Sequence, residues 1–263
     1  MSQINQTNKS VRGENKFDGY IKQIVLCAPP ANVLTSEVMA QITAEIEQAV
    51  VSPKIKAIVF TAEGAHFSYG ASVEEHLPGK VEKMLPQFHR FIDGLLNIKT
   101  PTFSKVSGLC LGGAFEMVMA TNFIFCDESA RMGVPEIQLG VFPPAACALL
   151  PILAPPALAS RMILTGQRIN ADELKAYGLV THVAKSGALD TDLDVFLEKN
   201  ILPKSAEALR HANYALRTGI RTQYKNFIEP LERQYLQSLM STHDAAEGLN
   251  AFIQKRNPEW KNN

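Results

Sequence analysis

Apolar and polar positions follow two different periods along the first 160 residues. Apolar residues at helical spacing predict one helix over 36–52, capped by Thr35 or Ser36, and a second over about 81–96. Short alternating or continuously apolar runs predict strands at 17–26, at 55–60 and in the segments FSKVSG and NFIFCD. This alternation of strands and helices indicates an α/β fold with mostly parallel strands.

The pattern changes after about residue 158, where helical spacing dominates. Helices are predicted at 157–164, 171–177, 189–200, 205–217, 224–240 and 243–254. The chain has no Gly/Ser/Pro-rich linker, no low-complexity tract and no fixed-period repeat. We therefore expect a disordered N-terminal arm at 1–16, an α/β core at 17–200 and a helical region at 201–263 that packs on the core or on a neighbouring subunit.

Composition narrows the classes of function. The 263 residues are 46% hydrophobic, enough for a sizeable core, and 26 basic residues balance 26 acidic ones. An overall field that favours nucleic acid or an anionic membrane is therefore absent. The apolar segment 141–159 contains five prolines, which argues against a membrane-spanning helix and favours a buried turn with short helices.

Cysteine and histidine spacing offers no metal site. The four cysteines lie far apart without a CxxC pair, and none of the six histidines shows metal-ligand spacing. The polar N-terminus has no apolar leader segment, so we expect reduced thiols and a cytoplasmic protein.

The strongest local signal is LCLGGAFE, residues 109–116, where paired glycines stand at a strand-to-helix junction. The first amides of a helix have no intrahelical acceptor and lie at its positive end, so they suit a developing anion. Glu116 follows Gly113 by about one turn, on the same side of the helix. Tight packing of strand against helix would explain the glycines equally well.

Two further segments carry candidate chemistry. In MGVPEIQLGVFPP, Glu136 lies among apolar residues, so its carboxylate is either paired or has a raised pKa. In HFSYGASVEEHLP, Gly70 permits a turn after which Ala71 could offer a backbone N–H. A surface turn of small residues is the plainer interpretation of that loop.

The three segments together, in this order, resemble the enoyl-CoA hydratase/isomerase (crotonase) superfamily. FSYGASVEEH is similar to the family's F-x-x-G-A-D-x-x-E segment, LGGAFE to its G-G-G-x-E, and GVPEIQLGVFP to its G-x-P-E-x-x-L-G-x-x-P. The resemblance extends from about residue 17 to residue 260. It implies a spiral of repeated ββα units followed by a helical C-terminal region.

The resemblance also implies roles for individual residues. Ala71 and Gly113 would provide the two N–H groups of an oxyanion hole, and Glu116 and Glu136 would act jointly as acid and base, without an assignment of either role. Substrate contacts are expected from Ser68, Gly70, Ser72, Val73, Gly112, Phe142 and Pro143. The implied reaction is addition of water to an acyl-CoA thioester, with coenzyme A as part of the substrate and no separate cofactor or metal.

Departures from the family pattern point to an unusual acyl pocket. Ser72 stands where Asp is common, Ala114 replaces a third glycine, and PPAAC at 143–147 replaces G-A-G-G-T. Two successive prolines stiffen the chain and should reshape the pocket wall, which favours a flat or cyclic acyl group. GASVEEHLP and LGVFPPAA are most similar to cyclohexa-1,5-diene-1-carbonyl-CoA hydratases of anaerobic aromatic degradation, which implies 6-hydroxycyclohex-1-ene-1-carbonyl-CoA as product.

Three alternatives remain at this point. The same fold could serve a linear enoyl-CoA hydratase or isomerase, a ring-opening acyl-CoA hydrolase, or a non-catalytic binding protein. Retention of both glutamates argues against the last. The family resemblance further implies a homo-oligomer, either a trimer or a dimer of trimers, with no nucleic-acid or membrane partner.

Overall fold

The computed structural model describes residues 9–263. In this part of the chain the strands are β1 (Val11–Lys16), β2 (Ile21–Leu26), β3 (Ala57–Ala62), β4 (Thr102–Val106), β5 (Leu109–Leu111), β6 (Phe123–Asp127), β7 (Arg131–Gly133), β8 (Ile169–Asn170) and β9 (His182–Ala184). The helices are α1 (Ser36–Val50), α2 (Val81–Asn97), α3 (Gly113–Met119), α4 (Pro144–Leu153), α5 (Pro156–Thr165), α6 (Ala171–Ala176), α7 (Leu189–Asn200), α8 (Ala206–Leu216), α9 (Thr218–Arg233) and α10 (His243–Ile253).

The strands form two sheets. The larger sheet has the order β1-β2-β3-β4-β6-β9 and is parallel except for the β1–β2 pair. The smaller sheet has the order β5-β7-β8, with β5 and β7 parallel. Successive strands β4 and β5 enter different sheets before α3, and β6 and β7 do the same before α4. This is the repeated ββα arrangement that the resemblance implied.

The larger sheet is covered on both faces, which explains its apolar strands. Along β3, Ile58 and Phe60 belong to the main core, whereas Ala57 and Val59 face a second core. Helix α7 supplies this second core with its leucines, which pack near a cluster of phenylalanines on β4 and β6. A parallel strand buried on both sides has no polar face, so the pattern AIVF is continuous rather than alternating.

The N-terminal prediction was wrong for residues 11–16. They form β1, which pairs antiparallel with β2 from Val11↔Leu26 to Lys16↔Ile21. A turn at Phe17–Gly19 joins the two strands, with Gly19 at φ 83°, so the predicted strand 17–26 begins only at Ile21. This edge strand carries mostly polar and charged side chains, a composition that is also typical of a disordered segment. Residues 1–8 of the predicted arm lie outside the described residues.

The C-terminal helices confirm the predicted helical pattern, with one irregularity. The helix predicted at 224–240 is α9 over Thr218–Arg233, followed by a π-helical turn at Gln234–Ser238. The apolar segment 141–159 forms α4 and the start of α5. Over residues 9–263, no helix combines the length and the hydropathy needed to cross a membrane.

Candidate active site

The paired glycines form the junction between β5 and α3. Gly112 has φ 52° and ψ −130°, a conformation that favours glycine, and its N–H donates to the Gly133 carbonyl at 2.8 Å. Gly113 is the first residue of α3, so no carbonyl within the helix accepts its N–H. A Cβ on Gly113 would lie 3.1 Å from the Phe88 ring and 3.2 Å from the Ala71 Cβ. The close approach therefore serves the loop that carries Ala71 and not only the packing of strand against helix.

The loop at Ala71 is held directly against this junction. Gly70 has φ 101°, and a Cβ there would lie 2.5 Å from the Leu111 carbonyl oxygen and 3.4 Å from the Gly113 nitrogen. The Leu34 N–H donates to the Gly70 carbonyl at 2.9 Å and fixes the loop from the other side. Among residues 9–263 the Ala71 N–H has no hydrogen-bond acceptor. Two backbone amides with no acceptor in the described part of the chain thus lie side by side.

Glu116 is buried on α3, with 4% of its surface exposed. Its Oε1 accepts a hydrogen bond from the Ala146 N–H at 2.7 Å, and the Ala145 N–H precedes it at the start of the same helix. Burial raises the pKa of Glu116 to about 7, although these two N–H groups favour the charged form. The carboxyl is therefore able to change its protonation near neutral pH.

Glu136 lies in a short 3-10 turn after β7, at Pro135–Leu139. A Cβ on Gly112 would lie 2.5 Å from Glu136 Oε1, so this carboxyl is positioned next to the glycine junction. Although the residue is partly exposed, its Oε2 is buried and has no partner in the described chain. Burial, and then the negative charge of Glu116, raise its pKa well above the ordinary value. Of the two alternatives for Glu136, the raised pKa is the one that the structure supports.

These four groups line one cavity of about 550 Å³. Its walls are mainly apolar, which is typical of a site that binds a small molecule through a few polar contacts. The walls include Val73, Met84, Leu85, Phe88, Leu109, Leu111, Leu139, Val141, Phe142, Pro143, Pro144 and Leu249, and the polar lining includes Tyr69, His76, Gln138, Arg168, Tyr235 and Arg256.

The predicted substrate-binding residues divide into two groups. Val73, Gly112, Phe142 and Pro143 line the cavity together with the amides and carboxyls. Ser68, Gly70 and Ser72 are not among the lining residues, so for these three direct contact with the substrate stays a prediction.

Ser68 shows why such a residue resembles a binding residue in sequence. It is fully buried, and its hydroxyl donates to the Asn32 carbonyl at 2.7 Å and accepts from the Gly70 N–H at 3.1 Å. Its role is to hold the Ala71 loop. Ser72 also has a hydrogen-bond partner within the protein, because its carbonyl oxygen lies 2.7 Å from Nδ1 of His76.

Sequence reasoning did not identify the polar residues that reach the cavity from distant parts of the chain. Arg168 lies just before β8, His76 in the turn Val73–His76, and Tyr235 in the π-helical turn. In the sequence Tyr235 occupies an apolar position of a predicted helix, and nothing distinguishes it from an ordinary core residue there.

Comparisons with known proteins identify the family of the chain. A family model for enoyl-CoA hydratase/isomerase matches residues 16–263. A cyclohexa-1,5-dienecarbonyl-CoA hydratase of Thauera aromatica is 35% identical over 93% of this chain and 94% of its own. A carnitinyl-CoA dehydratase of Citrobacter koseri is 28% identical over 92% of this chain and 95% of its own.

Solved structures show the same fold. The crystal structure of an enoyl-CoA hydratase from Mycobacterium avium subsp. paratuberculosis is 22% identical, with a TM-score of 0.84 over 96% of this chain and 99% of that one. With the family model over nearly the whole described chain, the chain belongs to the enoyl-CoA hydratase/isomerase (crotonase) family and is an enzyme of the hydratase type.

Proposed function

We propose that this enzyme adds water to a conjugated acyl-CoA thioester, using Ala71 and Gly113 as the oxyanion hole and Glu116 and Glu136 for proton transfer. The observation that carries the proposal is that two carboxyls and two backbone amides, which have no acceptor among residues 9–263, line the same cavity. Two carboxyls with raised pKa values beside a pair of amides that can bind an anion are typical of a catalytic site rather than of a site that only binds a ligand.

The amides act on the thioester oxygen. As the new C–O bond forms at the carbon β to the thioester, negative charge accumulates on that oxygen. Hydrogen bonds from Ala71 and Gly113 stabilise this charge, and loss of one such donor costs about 3 to 4 kcal/mol in other enzymes. Both residues act through their backbone N–H groups.

The two carboxyls differ in their surroundings, and this difference assigns their roles. Glu116 accepts N–H groups of α4, which favour its ionised form, so it is the base that takes a proton from water. Glu136 has no donor from α4, and burial together with the negative charge of Glu116 outweighs its own backbone N–H and raises its pKa, so it stays protonated and returns a proton to carbon. Each transfer contributes about 10²- to 10⁴-fold to the rate.

We further propose cyclohexa-1,5-diene-1-carbonyl-CoA as substrate and 6-hydroxycyclohex-1-ene-1-carbonyl-CoA as product, in anaerobic degradation of benzoyl-CoA. The 35% identical relative bears the name of this activity. Phe142 and two prolines with fixed φ, Pro143 and Pro144, also line the cavity, and such a stiff wall suits a planar ring better than a flexible chain.

Purified enzyme assayed with the cyclic dienoyl-CoA and with crotonyl-CoA tests the substrate. We expect a higher kcat/KM for the cyclic thioester, and a strong preference for crotonyl-CoA would contradict the narrower proposal. Release of a ring-opened acid would instead indicate the hydrolase alternative. Glu136→Gln should abolish hydration while acyl-CoA binding persists, whereas unchanged turnover would support a non-catalytic role for this carboxyl.

Several expectations from the sequence accompany this proposal. They are a cytoplasmic location, assembly as a trimer or a dimer of trimers, a reaction that needs no cofactor beyond the coenzyme A of the substrate, and a boundary near residue 200 between the core and the helical region. Light scattering of the purified protein tests the assembly.

A further inference from the structure

Tyr235 is a buried polar residue at the cavity that the proposed mechanism does not use. Only 1% of its surface is exposed, and it lines the cavity with Glu116 and Glu136. Its hydroxyl has no hydrogen-bond partner within residues 9–263. A buried O–H normally finds an acceptor, so an unpaired one beside a binding cavity indicates that the acceptor arrives with the ligand.

The backbone at Tyr235 is irregular in a way that supports this interpretation. Helix α9 ends at Arg233, and Gln234–Ser238 form a π-helical turn rather than a further α-helical one. Such turns are rare and occur frequently at functional sites, because they shift a side chain away from its regular helical position. Here Tyr235 packs against Phe142 in the cavity wall. The two rings meet edge-on, with 5.4 Å between their centroids.

The electrostatic surroundings keep the phenol protonated. Burial is the main cause that raises the pKa of Tyr235, and ionisation of either neighbouring glutamate raises it further. The hydroxyl is therefore a hydrogen-bond donor throughout the reaction, close to the two carboxyls between which the reacting oxygen must lie.

We propose that Tyr235 donates a hydrogen bond to the oxygen atom that is added to the substrate, as water before the reaction and as the product hydroxyl after it. The inference rests on the proposed hydratase function. In the reaction, a C–O bond forms as a C=C π bond breaks and its electrons move toward the thioester oxygen, one proton of water passes to Glu116, and Glu136 returns a proton to carbon. Tyr235 keeps its own proton and orients the oxygen.

The test uses Tyr235→Phe, which removes only the hydroxyl, and Tyr224→Phe as the matched control. Tyr224 is also fully buried, does not line the cavity, and donates its hydroxyl to the His89 carbonyl at 3.2 Å. We would measure kcat and KM with cyclohexa-1,5-diene-1-carbonyl-CoA, and thermal unfolding of both variants. Dissociation constants would be measured for 6-hydroxycyclohex-1-ene-1-carbonyl-CoA and for cyclohex-1-ene-1-carbonyl-CoA, which lacks the hydroxyl.

For Tyr235→Phe we expect kcat to fall about 10-fold and binding of the hydroxylated thioester to weaken about 10-fold, as for loss of one hydrogen bond. Binding of the thioester without the hydroxyl should not change, and Tm should not fall because the hydroxyl had no partner. Tyr224→Phe should lower Tm, because it breaks an internal hydrogen bond, and leave the ratio of the two dissociation constants unchanged.

The outcomes separate the two proposals. If wild-type enzyme hydrates the thioester but Tyr235→Phe retains the wild-type kcat and ratio of dissociation constants, the role of Tyr235 is overturned and the hydratase function stands. Equal weakening of both thioesters also overturns it, because that result indicates a role in packing. A wild-type enzyme that hydrates no conjugated thioester overturns the proposed function, and the inference with it.

Discussion

The buried carboxyl of Glu116 should make the protein less stable as pH rises, and Glu116→Gln should reduce that loss. The folded protein holds the pKa of this carboxyl at about 7, above its ordinary value of 4.5. Between these values the folded state binds more protons than the unfolded state, so stability falls as pH increases. Glutamine has nearly the same shape and can still accept the Ala146 N–H, but it does not ionise.

The magnitude follows from the same two values. The interval from 4.5 to about 7, at about 1.36 kcal/mol for each pH unit, corresponds to about 3 kcal/mol once pH is well above 7. Near pH 5.5 the same linkage gives only about 1 kcal/mol. Between about pH 5.5 and about pH 8.5, wild type should therefore lose about 2 kcal/mol more than Glu116→Gln.

Urea unfolding at both pH values and at a fixed protein concentration measures this difference, and hydration by the variant should be abolished. Glu45→Gln is the control, because Glu45 is also buried but forms ion pairs with Lys22 and Lys9. Although burial alone would raise the pKa of Glu45, these partners lower it overall, so the control should lose stability near pH 7 and retain activity. Identical pH dependence in wild type and Glu116→Gln would refute the reasoning.

Three further predictions concern the same site. The kcat/KM for hydration should rise up to tenfold per pH unit as pH approaches about 7 from below, because Glu116 must be ionised to act as base, and a flat pH profile would contradict its role. Gly112→Ala should abolish hydration, since its Cβ would lie 2.5 Å from Glu136 Oε1 at a φ of 52°, and circular dichroism should show the fold retained. Ser68→Ala should lower the free energy of unfolding by about 1 to 3 kcal/mol, because the Asn32 carbonyl loses its donor, and denaturant unfolding checks this.

The sequence predicts most of the fold because local pattern and tertiary burial agree. The buried strand β3 and the amphipathic helices α1 and α2 lie where their apolar periods place them. The edge strand β1 was missed for a physical reason. Backbone hydrogen bonds hold it against β2, so its side chains need not be apolar. Two of them, Arg12 and Glu14, form an ion pair at 2.7 Å. Only the pairing partner, which is a tertiary property, identifies it as a strand.

The sequence predicts those residues of the candidate site that lie in local motifs. It does not predict the residues that reach the site from distant parts of the chain. Gly113, Glu116 and Glu136 lie in short motifs, and the structure brings them to one cavity. Tyr235 enters that cavity from about 100 residues further along the chain, through a π-helical turn for which the sequence contains no distinct pattern. Ser68 lies in a motif as well, but its hydroxyl bonds to the Asn32 carbonyl and the Gly70 N–H, so the structure shows it supporting the loop.

PPAAC stands where the family has a glycine-rich segment, and this replacement keeps the backbone N–H groups that face Glu116. Pro144 begins α4, and a proline at the first helical position removes an N–H that would have no acceptor in the helix. The next amides, of Ala145 and Ala146, remain at the positive end of the helix, where the Ala146 N–H donates to the Glu116 carboxyl and both amides favour its charged form. Glu136 has no donor from this helix, and burial together with the negative charge of Glu116 raises its pKa. In the proposed mechanism this difference allows Glu116 to accept a proton and Glu136 to donate one, and the two prolines leave the N–H groups at Glu116 in place.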